Sequence, residues 1–130
     1  MKFRSDFVTN SSSSSFLIAI SKEEKYEPII HALVKAEGYC ETSEGHRFDT
    51  TQAVDDYLFE QYAYRNQTRE EVLNGDEWVA SWRNLAHEAI NKGNAVVFKE
   101  IAYSDSGFTS FLRALAECTD GIAILKSEDE

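Results

Sequence analysis

Cys40 and His46, near the middle of the chain, have the residue types that nucleophilic catalysis needs. A thiol beside an imidazole can lose its proton at neutral pH, and the thiolate that results is a strong nucleophile. The neighbouring acids Glu41 and Glu44 disfavour a thiolate, because they add negative charge beside it. No family signature surrounds Cys40 or the second cysteine, Cys118, so we interpret both as reduced, non-catalytic thiols. Cys118 ends an apolar helical stripe, and we expect it to lie in the core.

Residue types that bind metals are present, but they are not grouped at metal-binding spacing. The histidines lie far apart in the sequence, at His31, His46 and His87. One group of acids is more compact: Glu70, Glu71, Asp76 and Glu77. This group lacks the alternating Asp or Asn positions and the central glycine of a calcium loop, whereas acids at helix starts are explained by the macrodipole. We therefore predict no metal site and no cofactor.

A serine run near the amino end offers the chemistry of anion binding. Its residues are Asn10, Ser11, Ser12, Ser13, Ser14 and Ser15. Consecutive backbone N–H groups in a tight loop can form a nest for phosphate, and Lys2 and Arg4 could add positive charge. The run lacks the glycine–lysine pattern of nucleotide-binding loops, and no helix follows it directly. We favour a solvated loop without a ligand and keep a phosphate-binding loop, in a small enzyme or binding domain, as the alternative.

Negative charge is concentrated in the middle third of the chain. The total net charge is −10, and the segment from Glu37 to Glu77 holds eleven acids and three bases. Such a field repels nucleic-acid phosphate and increases the rate at which basic proteins are encountered. We therefore expect a basic protein partner and no direct binding of nucleic acid.

Aromatic residues lie among these acids and offer anchors for a partner. Tyr57 and Tyr62 fall on the apolar stripe of a predicted helix, which leaves Phe59 and Tyr64 pointing outward. The predicted acidic binding face comprises Asp55, Asp56, Phe59, Glu60, Tyr64, Glu70 and Glu71. The alternative is a broad helix face that is buried on two sides and binds nothing.

The stretch Phe7–Phe16 reads FVTNSSSSSF. It resembles the amino terminus of many bacterial and phage proteins of uncharacterised function, over about residues 2–18 of this chain. Proteins that share this stretch otherwise look unlike one another. The resemblance implies a microbial or mobile-element origin and identifies no active-site residue.

Hydrophobic periodicity predicts one domain, 1–130, of the α/β or α+β class. Continuous apolar runs indicate buried strands at Phe16–Ile20, Ala95–Ile101 and Ile122–Leu125, and we expect them to share one sheet. About four helices should cover a sheet of three or four strands, with a β-α-β unit over residues 94–126. We expect a further short strand at Lys2–Val8 and a frayed tail at Lys126–Glu130.

Capping residues set the expected helix starts. Ser21 should begin a first helix that ends before Gly38, and Asp49 or Thr50 a second. Thr68 and Asp76 should begin two more, and Ser104 or Ser106 the last. The longest apolar run near the amino end is too short for a membrane span or a signal peptide, so we expect a cytoplasmic protein that does not enter membranes.

These observations favour a small acidic protein-interaction module over an enzyme. One concrete form is a phage or mobile-element inhibitor that mimics nucleic-acid charge, such as an anti-CRISPR protein.

Overall fold

The three apolar runs predicted as strands lie side by side in one antiparallel sheet, which confirms that prediction. The computed structural model describes residues 13–36, 45–64, 66–102 and 106–129. Its strands are β1 (Ser13–Ser21), β2 (His46–Phe48), β3 (Asn94–Ala102) and β4 (Ile122–Asp129). Its α-helices are α1 (Glu27–Lys35), α2 (Thr51–Tyr62), α3 (Arg69–Gly75), α4 (Glu77–Asn91) and α5 (Ser106–Cys118), and a 3₁₀ turn, Glu24–Tyr26, precedes α1. The predicted strand at Lys2–Val8, as well as Cys40, Asn10, Ser11 and Ser12, lies outside the described residues.

The sheet order is β2-β3-β1-β4, with β1 antiparallel to both of its neighbours. Strands β3 and β4 therefore run in the same direction, separated by β1. Helix α5 connects them, so the carboxyl-terminal third is a split β-α-β unit. The predicted α+β class and the β-α-β unit are both present.

Helices cover both faces of the sheet, and alternate residues of β1 point to opposite faces. Leu17 and Ala19 pack against α2, α3 and α4, on what we call the α4 face. Phe16, Ile18 and Ile20 pack against α1 and α5, on the α5 face. A strand buried on both faces needs apolar residues at every position, which explains the unbroken run in its sequence.

Three of the predicted helix caps are confirmed. Thr50 Oγ1 accepts a hydrogen bond from Ala53 N at 3.1 Å, and Thr68 forms a reciprocal capping box with Glu71. Asp76 Oδ1 accepts from Trp78 N at 2.8 Å at the start of α4. These side chains satisfy backbone N–H groups that have no partner within the helix.

The first helix begins later than the Ser21 cap predicted. Ser21 Oγ accepts from Glu23 N at 3.2 Å, so this hydroxyl stabilises a turn instead. The 3₁₀ turn follows, and α1 starts at Glu27 with Pro28 in its first turn, a position that tolerates proline because no N–H is required there.

Two segments predicted as irregular are parts of strands that pair with each other. The loop prediction is wrong for Ser13–Ser15, which form the start of β1, and Ser14 and Ser15 are buried. The predicted fraying is likewise wrong for residues 126–129, which belong to β4. Ser14 pairs with Asp129 and Ser15 with Glu128, so each segment supplies the hydrogen-bond partners of the other.

Cys118 was predicted in the core, and the structure corrects this. Its side chain is exposed at the end of α5. The buried stripe of that helix runs through Leu112, which is 0% exposed. Cys118 lies two turns after Phe111, which is 64% exposed, so these two residues share the exposed side of the helix.

Replacing Leu112 by alanine should lower the free energy of unfolding by about 2–5 kcal/mol, because the side chain is fully enclosed on the α5 face. Leu33→Ala, in α1, should have a similar effect. Phe111→Ala is the matched control on α5 and should change stability by about 0.5 kcal/mol or less. Urea denaturation followed by tryptophan fluorescence measures all three variants, and equal losses for Leu112 and Phe111 would contradict this packing of α5.

Candidate functional site

The outer side of α2 presents the predicted acids that remain accessible. Val54 and Leu58 are buried against the α4 face, so the opposite side of the helix is exposed. Asp56 and Glu60 lie on that exposed side, four residues and therefore about one turn apart. Both carboxylates are exposed to solvent.

Asp55 does not belong to this accessible face. Its Oδ1 atom lies 2.7 Å from Arg83 Nε and 2.8 Å from His87 Nε2, both on α4. Arg83 also donates to Asp55 Oδ2 and to Asn74 Oδ1 of α3, each at 3.2 Å. Asp55 therefore joins α2 to α4, and its predicted role in partner binding is replaced by a structural one.

The pKa of Asp55 reflects these contacts. Partial burial raises the pKa of the carboxyl, but the hydrogen bonds from Arg83 and His87 outweigh burial and hold the pKa below its ordinary value. The charged form is thus the one that the fold stabilises.

Asp56 and Phe59 both contact Arg69, the first residue of α3. The Asp56 carboxylate accepts a hydrogen bond from Arg69 Nη2. The guanidinium carbon lies 5.6 Å from the centroid of the Phe59 ring, within the range of a cation–π interaction. Phe59 was predicted to point outward, and it is partly buried with this cation beside it.

The remaining predicted residues lie at the carboxyl end of α2 and the start of α3. Glu60 is exposed, and Tyr64 is 46% exposed with its backbone N donating to Gln67 Oε1 at 2.7 Å. Glu70 is exposed and accepts a hydrogen bond from Asn74 Nδ2 at 3.2 Å. Glu71 Oε1 accepts from Thr68 N at 2.8 Å in the capping box, and that hydrogen bond lowers its pKa. We name Asp56, Phe59, Glu60, Tyr64 and Glu70 the acidic surface.

The other aromatic residues of this region are structural. Tyr57 packs among Phe48, Phe98 and His46, with ring centroids 5.1, 5.9 and 4.8 Å away. Burial, assisted by the negative charge of Glu100, raises the pKa of Tyr57 to about 12. Trp78 and Trp82 are buried as predicted, with centroids 5.3 Å apart.

The alternative sites receive little geometric support. Ser14 and Ser15 are buried in the sheet, so they cannot line a solvent-exposed anion loop. His46 is exposed and lies against Tyr57, and its predicted thiol partner is outside the described residues. Across the described ranges, no three His, Cys, Asp or Glu residues converge to hold a metal ion. The helices described are all too short or too polar to cross a bilayer.

An open cleft of about 530 Å³ lies where the ends of β1, β3 and β4 meet. Ala19 and Ala123 line it together with Tyr26 and charged residues of both signs, including Lys25 and Asp120. The side chain of Lys25 is held by Glu23, at 3.9 Å, and by the Tyr26 ring, at 5.2 Å. Ser21 also lines the cleft, and its hydroxyl accepts a hydrogen bond from Glu23 N at 3.2 Å in the turn that follows β1.

Sequence reasoning missed three polar residues that the fold buries partly or fully. Arg83 and His87 are four residues apart on α4, a spacing that puts both on one side of the helix and could have indicated a shared carboxylate partner. Lys99 interrupts an apolar strand, and its buried Nζ donates to Ala36 O at 2.7 Å and lies 5.4 Å from the Phe108 centroid. Sequence position alone does not reveal either partner.

Asp55→Asn should lower the free energy of unfolding at pH 7 by about 1–3 kcal/mol, because two hydrogen bonds from Arg83 and one from His87 lose their anion. Asp56→Asn is the control on the same helix, and its exposed ion pair should contribute less than about 1 kcal/mol.

The effect of Asp55→Asn should depend on pH in a defined direction. A carboxyl whose folded pKa lies below its unfolded value of about 4 stabilises the fold above that pH. The difference between wild type and Asp55→Asn should therefore narrow as the pH falls through 4 and below, in urea titrations at a series of pH values. A difference that stayed constant down to pH 2 would show that the carboxylate charge is not what stabilises this contact.

Comparison with known proteins assigns this chain to no family. No protein-family model matches its sequence, and no curated protein or solved structure matches it either. A function must therefore be inferred from the contacts, charges and exposed groups of the chain itself.

Proposed function

We propose that this protein is a non-enzymatic interaction module that binds a basic protein partner through the acidic surface. The observation that carries the proposal is Tyr64, a large aromatic side chain that is 46% exposed beside a helix with an acidic outer face. Exposed aromatic residues commonly anchor protein interfaces, and flanking charges determine which partners approach.

The charges of the acidic surface are suited to attract a cationic partner. Glu60 and Glu70 are exposed; Glu70 accepts a hydrogen bond from the neutral amide of Asn74, and its negative charge helps to raise the pKa of Arg83. Their charges therefore add to the field of a chain whose net charge is −10. Because surface charges act over about 8–10 Å at physiological ionic strength, their main effect should be on the rate of association.

The partner that fits this chemistry is a protein with a basic surface, such as one that binds nucleic acid. The acidic surface would then occupy the place of phosphate groups. The resemblance of Phe7–Phe16 to phage and bacterial proteins supports a concrete form, an inhibitor of a nucleic-acid-binding defence protein. The anti-CRISPR proteins are one class of such inhibitors.

Neutralising Glu60 and Glu70 together, as Glu60→Gln/Glu70→Gln, should slow association several-fold at low salt and flatten its salt dependence. Dissociation should change little. The matched control is Glu24→Gln/Glu117→Gln, which removes the same charge from two exposed positions in the 3₁₀ turn and in α5, on the other side of the sheet. Affinity capture with wild type and the two double variants identifies the partner. Stopped-flow binding at two salt concentrations then measures the association and dissociation rates. Equal slowing by both double variants would contradict a localised acidic interface.

Tyr64→Ala should produce the complementary result. Removing an aromatic anchor should raise the dissociation rate by about tenfold or more while leaving association nearly unchanged. Tyr64→Phe separates the ring from the hydroxyl and should retain most of the affinity. An unchanged dissociation rate for Tyr64→Ala would remove Tyr64 from the interface.

A further inference from the structure

Within the acidic surface, one guanidinium group is already bound by an aromatic ring and a carboxylate. Arg69 lies beside the Phe59 ring, at 5.6 Å from its centroid, and donates to the Asp56 carboxylate. A carboxylate beside an aromatic face is a favourable site for arginine, because the planar guanidinium can stack on the ring and donate hydrogen bonds in its own plane. Lysine is a point charge and has no plane to stack.

The two residues that hold Arg69 are positioned by their own helix. Asp56 and Phe59 are three residues apart on α2, so their side chains are neighbours on the helix surface. Phe59 is partly buried, which restricts the orientation of its ring. The ring would therefore keep its orientation if Arg69 moved away, and Asp56 would remain its neighbour on the helix.

Arg69 is a weakly held occupant. Its side chain is 47% exposed and that of Asp56 is 56% exposed, and exposed ion pairs contribute little to stability. A cation in the first turn of α3 also opposes the helix macrodipole. The start of α3 is stabilised independently by the capping box of Thr68 and Glu71. Releasing the guanidinium therefore does not require α3 to unfold.

We propose that Asp56 and Phe59 form an arginine-binding cradle, which Arg69 occupies in the free protein and which an arginine of the basic partner takes over on binding. This inference rests on the proposed function and specifies it: the partner presents arginine rather than lysine. In the sequence Glu60 directly follows Phe59 and Glu70 directly follows Arg69, and these two acids favour a partner with further cations around that arginine. Arg69 acts as an internal competitor that weakens the binding of isolated cations.

The test uses two probes of equal charge, an octa-arginine and an octa-lysine peptide, titrated against the full chain by fluorescence anisotropy. Wild type should bind octa-arginine about 3- to 10-fold more tightly than octa-lysine. Arg69→Gln should raise the affinity for octa-arginine by a further 3- to 10-fold, approximately the strength of an exposed ion pair and a cation–π contact. Its effect on octa-lysine should be smaller.

Two control variants separate the cradle from general charge effects. Lys92→Gln removes a cation that is paired with Glu88 at 2.9 Å and lies away from any described aromatic contact, so it should change both affinities by one small factor. Phe59→Leu keeps an apolar side chain but removes the aromatic face, and it should abolish the preference for arginine. Urea denaturation of each variant checks that the fold is retained.

The possible outcomes distinguish the inference from the proposed function. If both probes bind equally and depend on Glu60 and Glu70, the acidic interface stands and the cradle is wrong. If neither probe binds wild type more tightly than it binds the Glu60→Gln/Glu70→Gln variant, the proposed function itself fails. If Arg69→Gln lowers stability and leaves both affinities at the level of Lys92→Gln, Arg69 only clamps α3 to α2 and the inference is overturned.

Discussion

Strand β1 has hydrogen-bonding neighbours on both edges and helices on both faces. The rest of the fold depends on pairing its backbone groups and burying its side chains. Buried backbone N–H and C=O groups must be paired, so β1 requires β3 on one side and β4 on the other. Its side chains are apolar at every position from Phe16 to Ile20, so they need a helical layer on each face. The split β-α-β arrangement follows, because β4 must reach the far edge of β1 after α5 has crossed the sheet.

Extension of β1 through its serines links the two ends of the described chain. Ser14 and Ser15 are small enough to be buried in the ladder, and they pair with Glu128 and Asp129 near the end of β4. The bulge opposite Leu17 and Ile18 allows β4 to keep pairing beyond its apolar part. Ser14 and Ser15 therefore belong to a strand because they pair with the polar end of β4, although they have no apolar side chains to bury.

The acidic residues fall into two groups with different consequences. Asp55 binds Arg83 and His87 and joins two helices, and Asp76 and Glu71 cap helix starts. Their charges are used within the fold. Glu60 and Glu70 are exposed to solvent, and Asp56 lies between these cases because it is paired with a cation, Arg69, whose side chain is itself 47% exposed. The net charge of the sequence therefore does not show which acids are engaged within the fold and which are exposed.

The sequence by itself determined the features that depend on residues close together in the chain. The caps at Thr50, Thr68 and Asp76, the three apolar strands and the buried stripes of the helices follow from local hydrogen bonding and periodicity. The candidate surface was predicted in part: Glu60 and Glu70 are exposed on their helices, and Tyr64 is exposed as expected although it lies two residues beyond the end of α2.

The tertiary structure alone decided which distant residues meet. Asp55 was predicted to face a partner, but its position on α2 is covered by α4, whose Arg83 and His87 lie about thirty residues later in the chain. Phe59 was predicted to point outward, but it is partly buried, and the start of α3 brings Arg69 beside it. Cys118 was predicted to lie in the core, but it is exposed, and α5 packs into the core through Leu112. A periodic pattern shows that a helix has a buried side, whereas the partner of each polar group at the border of that side depends on how the helices pack against one another.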